Sequence, residues 1–80
     1  MLLVLDVGNS NLVLGVYEGK ALRGHWRLRT EIARTADEYS LQIRGLMALN
    51  SLPLDAVEAV VVASVVPRMA PTLAALSRGR

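Results

Sequence analysis

Asp6-Val7-Gly8-Asn9-Ser10-Asn11 is the stretch of this chain that gathers a carboxylate, a glycine, a hydroxyl and two amides within a few residues. That set suits an anionic oxygen ligand, such as the phosphates of a nucleotide. Glycine lets a backbone approach a charged oxygen closely. The turn N–H groups, the Ser10 hydroxyl and the Asn9 and Asn11 amides are donors that can converge on it. Asp6 is placed to hold Mg²⁺ through water, and the ion would offset repulsion between carboxylate and phosphate. An ordinary hairpin turn competes with this reading, because Gly and Asn tolerate positive φ and Asn and Ser bond nearby backbone. On these residues alone the two readings stand level.

The elements around the motif follow from hydrophobic periodicity. Leu2 to Val7 is a nearly continuous apolar run, which predicts a strand buried on both faces. Leu12 to Tyr17 is a second strand, so the motif is the turn of a β-hairpin. Glu18-Gly19-Lys20 turns the chain into a third strand, Ala21 to Arg29. There Leu22, Gly24, Trp26 and Leu28 share one face, and Arg23, His25, Arg27 and Arg29 the other. Short connections predict an antiparallel meander.

The period then changes. Thr35-Ala36-Asp37-Glu38 fits a capping box, and Tyr39, Ile43, Leu46 and Met47 recur at helical spacing, so a helix runs from about Ala36 to Leu49. Gly45 within it suggests close packing on a neighbour. Asn50-Ser51 and Pro53 end it. Val57 to Val66 reads as a buried strand returning parallel to an earlier one. Met69, Leu73 and Leu76 suggest a second helix, with Pro71 in its first turn. The order β-β-β-α-β-α supplies one full helix and the start of another. Two strands buried on both faces call for more cover, so the chain reads as a domain cut off before completion.

Composition narrows the function. The chain has 80 residues, 52% apolar and 20% charged, with no cysteine. It is globular in character and holds neither a disulfide nor a thiolate metal site. No apolar run reaches a membrane span, and the start lacks the basic region and cleavage site of a signal peptide. The formal charge is +2. Lys20, Arg23, Arg27, Arg29, Arg34 and Arg44 are outnumbered by seven acids up to Pro67, while Arg68, Arg78 and Arg80 face none thereafter. The positive excess therefore belongs to the C-terminal end. Only Tyr17, Trp26 and Tyr39 are aromatic, too few for a base-stacking surface, so no nucleic-acid partner is expected.

The element order, with an acidic, glycine-containing first hairpin, resembles the N-terminal half-domain of the actin/hexokinase/Hsp70 superfamily, a ribonuclease H-like α/β fold with a mixed sheet. A finer resemblance rests on three blocks in order: Asp6 to Asn11, Arg34-Thr35-Ala36-Asp37-Glu38-Tyr39, and Ser64-Val65-Val66-Pro67. Together they look like type III pantothenate kinase, over essentially all of this chain but about the first third of a usual member. The resemblance implies ATP-dependent phosphorylation of pantothenate, the first step of coenzyme A biosynthesis, by a cytoplasmic homodimer that uses Mg²⁺ and a monovalent cation, K⁺ or NH₄⁺. It implies a phosphate element of Asp6, Val7, Gly8, Asn9, Ser10, Asn11, Leu12 and Val13, with Asp6 near the metal. Leu12 departs from it, since members often carry a small hydroxylated residue there. The catalytic aspartate, the pantothenate loop, the cation ligand and the second phosphate motif would all lie beyond Arg80. Residues 1–80 are then a partial N-terminal domain without its second domain, carrying no catalytic residue and inactive alone. A non-catalytic nucleotide-binding relative and an inert truncated fragment are the alternatives.

Other candidates have plainer explanations. Thr35 to Tyr39 reads first as a helix start, and Arg34 as a solvated or structural arginine. His25 has no second histidine or cysteine to share a metal. Trp26 is assigned to the core. Ser64 to Pro67 is either a strand end or one wall of a nucleotide cleft, since ligands in such sheets sit near carboxyl ends of strands. There is no P-loop sequence.

Overall fold

The computed structural model describes residues 1–64 and 66–78. Strands β1 (Leu2–Val7), β2 (Asn11–Glu18) and β3 (Ala21–Arg29) form the antiparallel meander. Helix α1 (Ala36–Ala48) crosses back, and β4 (Ala59–Ser64) pairs parallel to β1. A 3-10 turn, Pro67–Met69, leads into α2 (Ala70–Arg78), which places Pro71 in the first turn, where its missing N–H costs nothing. The sheet order is β3-β2-β1-β4, so β1 is an interior strand. This is a mixed α/β sheet with two helices, the architecture of an actin-like ATPase N-terminal half-domain.

Both helices pack on one face. Leu3, Leu5 and Val7 of β1 and Leu12, Leu14 and Val16 of β2 are buried there with Tyr39, Ile43 and Met47 of α1, Met69 of the 3-10 turn, and Leu73 and Leu76 of α2. Each such side chain contributes about 1.5–3 kcal/mol when fully buried. Helix α1 runs with the spacing read from the sequence, and its C-terminus closes by Ser51 N–H to Ala48 O and Leu52 N–H to Met47 O, both 3.0 Å. Ser51 takes the left-handed conformation, φ 58°, in a position that usually belongs to glycine.

Five expectations are corrected. Strand β1 is buried on one face only: Leu2 and Val4 are half-buried and Asp6 is exposed, because both helices lie on the other side. Leu22 leaves the face of Trp26 and Leu28. A register shift after Val16 pairs Leu22 with Tyr17, and the two side chains meet over Gly15 on the uncovered face. Gly45 is exposed, with open space where a Cβ would stand, so no close packing requires it. Trp26 is half-buried against the core's edge and lies flat over Gly24, where a Cβ would overlap the indole. The strand suggested from Val57 begins at Ala59 and is an edge strand rather than a buried one, with Val61 and Val62 exposed; Val65 lies outside the described residues.

The capping box forms as read. Thr35 N–H donates to Glu38 Oε1 at 2.8 Å, and Glu38 N–H donates to Thr35 Oγ1 at 3.2 Å. The Thr35 backbone N–H, and then its hydroxyl, hold the Glu38 carboxyl below its usual range. A depressed carboxylate contributes stability above its unfolded pKa and loses it as pH falls through the folded value. Thr35→Ala is therefore expected to cost about 1 kcal/mol at neutral pH, measured by urea unfolding, and, because alanine keeps the backbone N–H that is the larger cause, to lessen the acid-side loss of stability only in part. An unchanged midpoint with an unchanged acid limb would contradict this.

Candidate functional site

The first hairpin projects from the carboxyl end of β1, beside the carboxyl end of β4. The pairing of β1 with β4 steps from Leu5–Val62 to Asp6–Ser64, so a bulge in β4 sits next to Asp6. The first and third sequence blocks thus meet in space. Val7 pairs with Leu12, and Gly8 N–H donates to Asn11 O at 2.8 Å, which leaves Asn9-Ser10 as the tip.

No hairpin residue takes positive φ. Among the described residues only Ser51 and Gly19 do. The expectation that Gly8 or the asparagines serve the turn through left-handed backbone is therefore overturned. A Cβ on Gly8 would meet only Asn11 O at 3.5 Å, an ordinary contact. The fold does not require glycine here. A need for close approach from outside remains as a physical reason for it.

The hairpin's residues divide by direction. Val7 and Leu12 are 2% and 0% exposed, so they peg the hairpin into the core and can offer a ligand only backbone groups. This also explains why Leu12 can stand where a hydroxyl was expected. Gly8, Asn9, Ser10 and Asn11 are exposed. Asp6 and Val13 are paired neighbours on the uncovered face. The Gly8 N–H is committed to Asn11, whereas the Asn9 and Ser10 N–H groups make no backbone bond among the described residues. Thr30, just past β3, bonds the loop twice: its N–H to Ser10 O and its hydroxyl to Gly8 O, both 2.9 Å.

An open cleft of about 340 Å³ adjoins the tip, lined by Asn9, Thr30, Ile32, Val66, Pro67 and Arg68. Val66 and Pro67 of the third block thus face Asn9, while Asp6 does not line this cleft. Arg68 is its cation and was not singled out from the sequence. The charge distribution held the signal, since Arg68 opens the positive C-terminal segment. A hollow of about 370 Å³ lies at the other end of the sheet, but its arginine, Arg23, is paired with Glu18. The gap between sheet and helices at Leu3, Ile43 and Leu76 holds only about 10 Å³, too small for a ligand.

The second block does not reach the cleft. Arg34 lies 5.1 Å over the Tyr39 ring and donates to Arg29 O at 3.2 Å, a structural role. The Tyr39 hydroxyl accepts from Glu31 N–H at 2.8 Å and donates to Glu31 O at 2.9 Å, which braces the connector that begins at Thr30. His25 is exposed. No group of three metal-ligating side chains occurs among the described residues. A divalent ion at Asp6 would take one protein carboxylate and complete its shell with phosphate oxygens and water, which is how Mg²⁺ is commonly held. No helix among the described residues is long and apolar enough to cross a membrane.

Residues 2–80 match the family described as type III pantothenate kinase. Three curated relatives carry that name. The protein of Geobacter sulfurreducens is 51% identical over 79 residues, covering 99% of this chain and 31% of its own length. Those of two Anaeromyxobacter strains, Fw109-5 and K, are 53% and 55% identical over 96% and 91% of this chain, and 30% and 29% of their own lengths. The chain thus spans about a third of the relatives it matches.

The free space at Gly8 gives a discriminating substitution. Gly8→Ala should leave unfolding within about 1 kcal/mol of the parent. Close approach of a ligand phosphate at this position predicts at least about tenfold weaker Mg·ATP binding, followed by calorimetry, once the methyl is added. Equal affinity would remove close approach as the reason for this glycine.

Proposed function

Because the chain belongs to the type III pantothenate kinase family, we propose that it is the part of a pantothenate kinase that receives the phosphates of ATP. The observation that carries this reading is the exposed tip Gly8-Asn9-Ser10, pegged by Val7 and Leu12 and flanked by Asp6, where the fold leaves room at a glycine it does not need. In this reading the backbone from Val7 to Val13 and the Asn9, Ser10 and Asn11 side chains hold phosphate oxygens. Asp6 binds Mg²⁺ through water. When bound, Mg²⁺ neutralises charge on the phosphates.

Phosphoryl transfer asks little covalent chemistry of the protein; it asks for positioning and charge stabilisation. This chain's share is to hold the γ-phosphate in line for a pantothenate hydroxyl, with Arg68 adding positive potential beside the tip. The groups that activate the hydroxyl, bind pantothenate and hold the monovalent cation, K⁺ or NH₄⁺, belong to the rest of the enzyme. Residues 1–80 are read as a partial N-terminal actin-like ATPase domain that pairs with a second domain. The half-buried Leu2 and Val4 and the exposed Leu22 and Val61 on one face support that, being apolar surface fit for further polypeptide. A cytoplasmic homodimer completes the reading, with ATP and pantothenate as its partners and neither nucleic acid nor membrane.

The test is a chimera carrying residues 1–80 in place of the matching segment of the Geobacter sulfurreducens protein. It should form phosphopantothenate from ATP and pantothenate, and the isolated 80-residue chain should not. Asp6→Asn in the chimera should lower kcat at least about a hundredfold with little change in melting temperature. Unchanged turnover would take Asp6 out of the site.

A further inference from the structure

We propose that Thr30 is the positioning residue of the phosphate hairpin: it turns the Gly8 carbonyl to the helix-covered face and so aims the Asn9 N–H at the face that carries Asp6. The inference rests on the phosphate-binding reading of the hairpin, which it deepens. Thr30 follows the last residue of β3 and continues the alternation of Trp26 and Leu28, so its side chain lies on the core side, where it is 9% exposed. Its N–H extends the β2–β3 ladder by one bond, to Ser10 O at 2.9 Å. Its hydroxyl reaches past β2 to Gly8 O, also at 2.9 Å. One residue thus ties down both ends of the tip.

The consequence follows from peptide geometry. The Gly8 carbonyl and the Asn9 N–H belong to one planar trans unit, in which they point in opposite directions; the chain has no cis peptide among its described residues. A carbonyl held toward Thr30 therefore sets its N–H away from Thr30, toward the uncovered face. Asp6 is exposed on that face. With the Gly8 carbonyl engaged from the core side and the Ser10 carbonyl from β3 in the plane of the sheet, both acceptors are already occupied when an anion arrives. The donor is set before the ligand arrives, so binding does not have to order it. Tyr39 supports the same arrangement one residue further on by holding both backbone groups of Glu31.

The experiment compares Thr30→Val, which keeps the shape and loses the hydroxyl, with Thr30→Ser, which keeps the hydroxyl. Two readouts are taken on the 80-residue chain: nucleotide-free NMR of the amides, and calorimetric binding of Mg·ATP. In Thr30→Val the Gly8 amide should exchange at least about tenfold faster, the loss expected of one hydrogen bond, and the Asn9 and Ser10 order parameters should fall. The Leu3 and Leu5 amides should stay protected, which separates loosening from unfolding. Mg·ATP affinity should drop by about fivefold to tenfold, and Thr30→Ser should restore both readouts to within about twofold. Parent-like hairpin exchange in Thr30→Val, or an equal loss in Thr30→Ser, overturns the proposal. Should the parent chain bind no Mg·ATP, the phosphate reading of the hairpin fails, while the exchange data still decide whether Thr30 orders it.

Discussion

Everything at the candidate site depends on how β1 is held. It is hydrogen-bonded on both edges, antiparallel to β2 and parallel to β4, and Leu3, Leu5 and Val7 seal one face against α1 and α2. A strand fixed on two edges and one face has little freedom left at its carboxyl end. The loop that follows inherits that rigidity. Val7 and Leu12 carry it to the base of the hairpin, and Thr30 carries it from β3 to the tip. A ligand meeting Asn9 and Ser10 meets groups that are already ordered, although they stand in solvent.

The two faces of the sheet divide the work. The helix-covered face does the folding: Tyr39, Ile43 and Met47 share one core with the inward residues of β1 and β2, and the Tyr39 hydroxyl fixes the connector after β3. The other face carries Asp6 at the carboxyl end of β1, with half-buried Leu2 and Val4 and exposed Leu22 and Val61 further along the same face. The cleft at Arg68 opens on the tip from another direction and does not include Asp6. A nucleotide's phosphates at the tip would then have a carboxylate for the metal to one side and an arginine to the other. That separation is electrostatically sensible, since a carboxylate and a guanidinium in contact would neutralise each other before any phosphate arrived.

Local signals in the sequence proved legible where one physical rule acts alone. The capping box at Thr35 and Glu38 needs only four residues, and it forms as read. The meander and the parallel return of β4 follow from period and connection length. Rules that depend on distant residues were harder. Leu2 to Val7 looked buried on both sides because apolar runs usually are, yet α2 joins α1 on one face. The faces of β3 were read from strict alternation, and the shift opposite Val16 moved Leu22 across the sheet. Gly8-Asn9 reads as turn chemistry that exploits positive φ, but the backbone there is ordinary. Thr30 and Arg68 had no motif to announce them: each matters through what the fold brings to Gly8, Ser10 and Asn9.

The central claim is that the first hairpin, and not merely any exposed turn of this chain, receives phosphate. Amide NMR spectra of the isotope-labelled chain, titrated with Mg·ATP, test it most directly. The β2–β3 hairpin turn, Gly19-Lys20, carries a lysine but lacks the amides and the hydroxyl, and its neighbouring carboxylate, Glu18, is paired with Arg23, so it serves as an internal control. The account predicts saturable shifts at Gly8, Asn9, Ser10 and Asn11, with Gly19 and Lys20 unmoved. Equal shifts at the two turns, or shifts only at Gly19 and Lys20, would contradict it.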